Sequence, residues 1–180
     1  MANGHFWDVD NGGFFFTADD SEEILIRYKE VRDGALPSGN SVGLLNLLRL
    51  ARMTGNKDYV QKAERSVRAF SSQVTQSPTY HTMFLASLDF LFGPSYEIVL
   101  VGDLDSEEMI DMLYSVRTKY LPNKIVLFKT TGDSKLEKLA GFTRNMKTIE
   151  GKTTAYICKD FACKAPTTDT HQVEKTLTEN

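Results

Sequence analysis

GPSYEIVLVGD, residues 93–103, divides this chain. Upstream of it, apolar residues recur three and four apart. YEIVLVGD, from Tyr96 to Asp103, is a continuous apolar strand ending in Gly-Asp, too hydrophobic for a half-exposed one and typical of one buried on both faces. Gly93 and Pro94 supply the break between the two patterns. Downstream, Ser106 is placed to start a helix, Ser106–Lys119, with Met109, Ile110, Leu113 and Val116 on one face. NKIVLFKT, residues 123–130, is a second buried strand. This β–α–β spacing predicts a parallel pair joined by a right-handed crossover. After TTGDSK come a short helical stretch and a third strand, about Thr153–Cys158. A final helix, Thr170–Leu177, is capped by Thr168 or Asp169. Residues 94–180 are thus expected to form a small α/β domain with a mostly parallel sheet.

Working back from Gly93, three helices are expected. One is Thr79–Leu91, with Ser77 as N-cap and Pro78 at the first helical position. A second is Lys57–Val74, in which Tyr59, Ala63, Val67 and Phe70 share a face. The third is Ser41–Met53, apolar nearly all round and therefore of the buried type. The last follows the loop DGALPSGNSV, residues 33–42. GFFFT (13–17) and ILIRYKE (24–30), separated by a polar turn, predict a β-hairpin. Residues 1–93 are therefore read as a β-hairpin and helices. An odd number of helices, one of the buried type, leaves apolar surface without a partner. Such a unit is a portion of something larger, or it self-associates through the exposed helix surface.

The 180 residues are 41% hydrophobic and 25% charged, with a formal charge of −3. This is the composition of a globular protein, and it gives no basic patch for nucleic acid. No apolar stretch approaches the roughly 20 residues that span a bilayer. MANGHFWDVDNGG has neither a basic n-region nor an apolar h-region, so a cytoplasmic location is the expectation. Two cysteines exclude a disulfide-scaffold fold. A structural metal site would need more ligands than Cys158, Cys163 and His171 provide, so no metal is expected. VLVGDLDSEE has one glycine where a dinucleotide fingerprint has three, and nothing else in the sequence implies a cofactor.

Three groups of residues stand out. In the loop before the third-named helix, Pro37 stiffens the approach, and Ser38, Asn40 or Ser41 can cap the free N–H groups. Asp33, Ser38 and Asn40 are either the parts of an elaborate cap or polar groups aimed at a ligand at the helix N-terminus. Trp7, flanked by Phe6 and Asp8, either packs the hairpin onto the helices or offers a ring face to a sugar beside a carboxylate. In CKDFACK, Cys158 ends a strand, while Cys163 beside Lys164 is the more reactive candidate thiol. A labile disulfide between the two is the alternative.

Five segments taken in order resemble one family: FWDVDNGGFFFT, DGALPSGNSVGLLNLLRLARMTG, EIVLVGD, LPNKIVLF and TAYICKDFACKAPTTD. They are similar to the C-terminal part of the spermatogenesis-associated protein 20 family, whose bacterial members are known as thioredoxin-domain proteins. The resemblance implies a protein that begins with a thioredoxin-like domain and continues into an α/α toroid. That toroid is similar to those of N-acylglucosamine 2-epimerases and six-hairpin glycosidases. This chain would then supply the end of the toroid and a terminal α/β module, without the thioredoxin-like domain. The helix after Pro37 would be an inner helix with its N-terminus near the central cavity. Asp33, Ser38 and Asn40 would be the residues nearest a sugar, with Trp7 the separate aromatic candidate. The function implied is carbohydrate binding or processing by the longer protein, with this portion not catalytically competent alone. The alternative is an interaction module that docks the thioredoxin-like domain, with Cys158 or Cys163 as its thiol partner.

Overall fold

The computed structural model describes residues 2–21, 26–160 and 162–178. The chain forms two compact units, residues 1–51 with 56–92, and residues 52–55 with 93–180. Among the described residues no helix is long and apolar enough to cross a membrane.

The first unit holds α1 (Ala2–His5), α2 (Gly39–Thr54, whose last residues group with the second unit), α3 (Lys57–Gln76) and α4 (Thr82–Phe92). Asn56 caps α3 by accepting from the Asp58 N–H at 2.8 Å, the usual task of an N-cap side chain. Ser77 and Pro78 do not begin α4. They lead into a single 3₁₀ turn, Pro78–Tyr80, and the helix starts at Thr82. The buried apolar residues of α2 are Leu44, Leu47, Leu48 and Ala51; α3 buries Ala63, Phe70 and Val74, and α4 buries Phe84 and Phe90. Phe70 and Phe84 meet edge to face with ring centroids 6.2 Å apart. The expectation of an all-round buried α2 needs correction, because Val42 and Leu50 are 37% and 39% exposed.

The expected β-hairpin also takes another form. Among the described residues Trp7 and Phe14 make an isolated antiparallel bridge, and the Phe16 N–H donates to the Tyr28 carbonyl at 2.9 Å. No ladder runs along 13–17 and 26–30; residues 22–25, which would complete the turn and start the second strand, lie outside the described residues. Consecutive aromatics fit a strand by propensity, but here Phe14 is held through both backbone groups by a side chain, as described below, while Phe15 and Phe16 bond to the separate backbones of Phe6 and Tyr28.

The second unit is built on β1 (Tyr96–Val101), α5 (Glu107–Thr118), β2 (Lys124–Lys129), α6 (Ser134–Leu139), β3 (Thr154–Lys159), β4 (Ala162–Cys163) and α7 (Thr170–Thr178). The sheet order is β2-β1-β3-β4, so β1 is central. Tyr96, Ile98 and Leu100 point to one face, where they pack with Met109, Met112 and Val116 of α5 and Val173 and Leu177 of α7. Glu97, Val99 and Val101 on the other face are buried as well, which accounts for the continuous apolar run. Glu97 is neutralised there by Arg52, 2.6 Å away.

β1 and β2 are parallel, as the β–α–β spacing predicts. β3, however, pairs antiparallel with β1, and β4 antiparallel with β3. The sheet is mixed rather than mostly parallel. Strand direction has no signature in a short apolar run; it is set by where the connection returns. Lys129, at the end of β2 and 3% exposed, fixes that return. Its ammonium contacts Glu137 at 2.9 Å and donates to the carbonyls of Thr143, Arg144 and Met146. α6 and the turn after it are thereby tied to β2 before the chain enters β3. Ser106 caps α5 through the Met109 N–H, and Asp169 caps α7 through the His171 N–H.

Candidate functional site

The loop that launches α2 is a network of internal hydrogen bonds. Ser38 is the N-cap: its Oγ accepts from the Ser41 N–H at 3.1 Å and donates to Ser41 Oγ at 2.9 Å. Asp33 Oδ1 accepts from the Ser38 N–H at 2.8 Å, while Oδ2 accepts from the Met83 N–H, also at 2.8 Å, in the first turn of α4. One carboxylate thus fixes the start of two helices. Burial works against its ionisation, but the N–H groups of Ser38 and Met83, with the Ser41 hydroxyl, outweigh this and hold the carboxyl below the usual range.

Asn40, 3% exposed, does something different. Its Oδ1 accepts from the Phe14 N–H at 2.6 Å, and its Nδ2 donates to the carbonyls of Phe14 at 2.9 Å and Glu30 at 2.8 Å. The side-chain amide stands in for a neighbouring strand, holding Phe14 by both backbone groups and bringing residue 30 beside it. Gly13 fits under this clamp only as glycine. Its φ is +82°, and a Cβ there would lie 2.8 Å from the Phe70 ring.

Next to the clamp is a cleft of about 470 Å³, within the roughly 300–1,000 Å³ typical of small-molecule pockets. Phe6, Phe14, Phe15 and Phe16 form one side; Gly39, Val42, Gly43, Asn46 and Leu50 of α2 form the other, with Glu30 contributing a carboxylate. Gly43 lets the Phe14 ring lie against the helix, since a Cβ there would sit 3.0 Å from that ring. Phe16, 66% exposed, stacks on Tyr28 with centroids 5.3 Å apart. The exposed polar side chains of the cleft, Glu30 and Asn46, were not singled out from sequence.

Trp7 is buried and meets Phe14 edge-on at 5.0 Å, with Lys62 and Arg65 of α3 over its ring. It supports Phe14 from behind and is not among the cleft-lining residues. Asp8 beside it is also buried. Burial opposes its charge, yet the Lys29 ammonium at 2.7 Å and the N–H groups of Asn11 and Asp10 hold its carboxyl far below the usual range. Of the residues expected near a ligand, Asn40 lines the cleft with its amide fully engaged; Trp7, Asp33 and Ser38 brace it.

The nucleotide-like Gly102 has a local explanation: a Cβ there would lie 2.6 Å from Thr153 Oγ1. The helix that follows opens with Glu107 and Glu108, which repel phosphate. An exposed cluster of metal-ligand type, His5, Asp19 and Asp20, also lies in the first unit. Cys158 and Cys163 face each other across β3 and β4 and form a disulfide. Docking through a free thiol is therefore closed to the oxidised chain. The bridge closes a very short loop, five residues apart in sequence. In the chain-entropy model that amounts to only about 2 kcal/mol of stabilisation.

No family model matches the sequence, and no solved structure matches it. Over 175 residues it is 33% identical to human spermatogenesis-associated protein 20, 34% to the rat protein and 33% to the mouse protein. Each alignment covers 96% of this chain and 22% of the relative. The chain spans less than a quarter of the length of the curated relatives it matches. Along nearly its whole length, then, it is similar to a segment of spermatogenesis-associated protein 20.

Proposed function

We propose that this chain is a non-catalytic portion of a longer carbohydrate-binding or carbohydrate-processing protein, and that the cleft between α2 and Phe14–Phe16 forms one wall of its sugar site. The observation that carries this reading is the pairing of an aromatic wall with Glu30 and Asn46. Ring faces cover the C–H faces of a pyranose, while a carboxylate and an amide take its hydroxyls. Asn40 orients both sides of that arrangement, because it holds Phe14 and Glu30 together. Trp7, Asp33 and Ser38 keep the wall rigid. Glycosidase or epimerase chemistry needs a matched general acid and base. Among the described residues Glu30 is the one carboxylate of this wall, and the family resemblance implies that further groups come from the rest of a toroid.

Calorimetric titration with a panel of mono- and disaccharides tests the reading. Saturable binding is expected, weakened about tenfold by Glu30→Gln or Asn46→Ala, the scale of one lost hydrogen bond to a charged or polar partner. Binding unaffected by either substitution would refute the assignment of the cleft. A second reading is favoured by the exposure of Phe16, Ile26 and Tyr28 at 66%, 79% and 52%. In it, this apolar surface packs against helices from the remainder of a longer protein or against a second copy. Concentration-dependent self-association in sedimentation, abolished by Ile26→Lys, would support it.

A further inference from the structure

The disulfide between β3 and β4 is poorly placed to act as a structural staple. Cys158 and Cys163 are already opposed by the strand register, and the Lys164 N–H donates to the Ile157 carbonyl at 3.0 Å. The hairpin tip is held a second time by Asp160, whose N–H donates to the Ser95 carbonyl at 3.0 Å while its carboxylate accepts from the Ser95 N–H at 2.9 Å. None of these interactions involves the sulfur atoms.

The two cysteines are unequally exposed. Cys158 is buried in β3, whereas Cys163 is exposed on β4, the edge strand of the sheet. A groove of about 440 Å³ opens beside Cys163, with Tyr96 and Ile157 among its apolar lining and Lys159 and Lys164 contributing two cations. Among the described residues the groove also holds one carboxylate, Asp160, which accepts from the Ser95 N–H and leaves the two lysines in excess.

We propose that Cys158–Cys163 is a thiol–disulfide exchange site for an anionic low-molecular-weight thiol of the glutathione class, with Cys163 as the sulfur attacked. The thiolate forms a bond to Cys163 Sγ, the Cys163–Cys158 bond breaks, and Cys158 leaves as a thiolate that takes a proton from water. A second thiolate then attacks the small-molecule sulfur of this mixed disulfide, the bond to Cys163 Sγ breaks, and Cys163 leaves as a thiolate that takes a proton from water. This releases the small-molecule disulfide and leaves the protein as a dithiol, two electrons having passed from two thiols to the protein disulfide. The lysines of the groove raise the local concentration of an anionic thiol beside Cys163. The inference is independent of the sugar cleft.

The test is to incubate the oxidised chain with reduced glutathione, trap free thiols by alkylation, and map adducts by peptide mass. Glutathione is expected on Cys163 at about a tenfold excess over Cys158, following the access of the attacking thiolate to each sulfur. The second unit should keep its cooperative thermal transition once reduced. Lys159→Gln combined with Lys164→Gln should slow the glutathione reaction at least about threefold relative to cationic cysteamine, by loss of electrostatic steering. Three results would overturn the proposal. The disulfide could persist under conditions that reduce an exposed peptide disulfide, the adduct could fall mainly on Cys158, or reduction could unfold the second unit. Cys163→Ser, which leaves only the buried thiol, should react slowly with glutathione disulfide; the wild-type mapping stands whether or not this variant folds.

Discussion

Asn40→Ala removes three hydrogen bonds, of 2.6, 2.9 and 2.8 Å, from a position only 3% exposed. At a net of about 1 kcal/mol each the loss is about 3 kcal/mol. Alanine is the better helix former and returns up to about 0.7 kcal/mol. A net destabilisation of about 2 kcal/mol follows, with water reaching the freed groups of Phe14 and Glu30, neither of which is fully buried. Because the chain has two units, the assay must report on the first alone. Trp7 does so: it is the only tryptophan and lies 5.0 Å from Phe14, the residue released. In urea unfolding followed by its fluorescence, a slope of about 2 kcal/mol per molar predicts a midpoint lower by about 1 M. Asn40→Asp should lose at least as much, because a carboxylate accepts from the Phe14 N–H but donates to neither carbonyl. A midpoint within about 0.2 M of the wild type for Asn40→Ala would refute the clamp at this slope.

Asp33 gives the first unit an acid limb. Its carboxyl is held below its ordinary value of 3.8, so its contribution is complete above that value and is lost as pH falls through the lower folded-state value. Asp33→Asn should cost about 1–2 kcal/mol at neutral pH, with the difference from wild type shrinking below about pH 4 in acid titrations read by Trp7 fluorescence. Gly102→Ala should destabilise the second unit by about 1–3 kcal/mol, the usual scale of overpacking, since the new Cβ would meet Thr153 at 2.6 Å and its backbone Cα at 3.1 Å; circular dichroism melts measure it. Lys129→Met should cost about 3 kcal/mol by stranding Glu137 and three carbonyls. Faster amide exchange across residues 134–146 is the expected signature.

The elements legible in the sequence were those whose apolar period is sustained. The boundaries expected for α2, α3, α5, β1 and β2 lie within two residues of those observed. Capping chemistry was legible too at Ser106 and at Thr168 or Asp169, of which Asp169 caps the helix, because a cap needs only its own neighbours. What escaped was chemistry spanning long separations. The antiparallel entry of β3 depends on Lys129 reaching carbonyls 14 to 17 residues away. The GFFFT segment looks like a strand, yet the backbone partner of Phe14 within it is a side chain 26 residues on. Asp33, Ser38 and Asn40 stood out as polar residues at a helix start, and whether such groups face a ligand or each other is decided by partners as distant as Met83. Glu30 and Asn46 carried no local signal at all, one at the end of an expected strand and the other on a helix face. They matter only once the clamp sets the cleft between them.

The most direct test of the sugar site is an amide NMR titration of this chain with the same saccharide panel. Saturable shifts centred on Phe16, Glu30 and Asn46, and absent from the second unit, are the expected result. Saturable shifts confined to other surfaces, or a well-dispersed spectrum that no saccharide perturbs, would contradict the cleft as a sugar-binding wall.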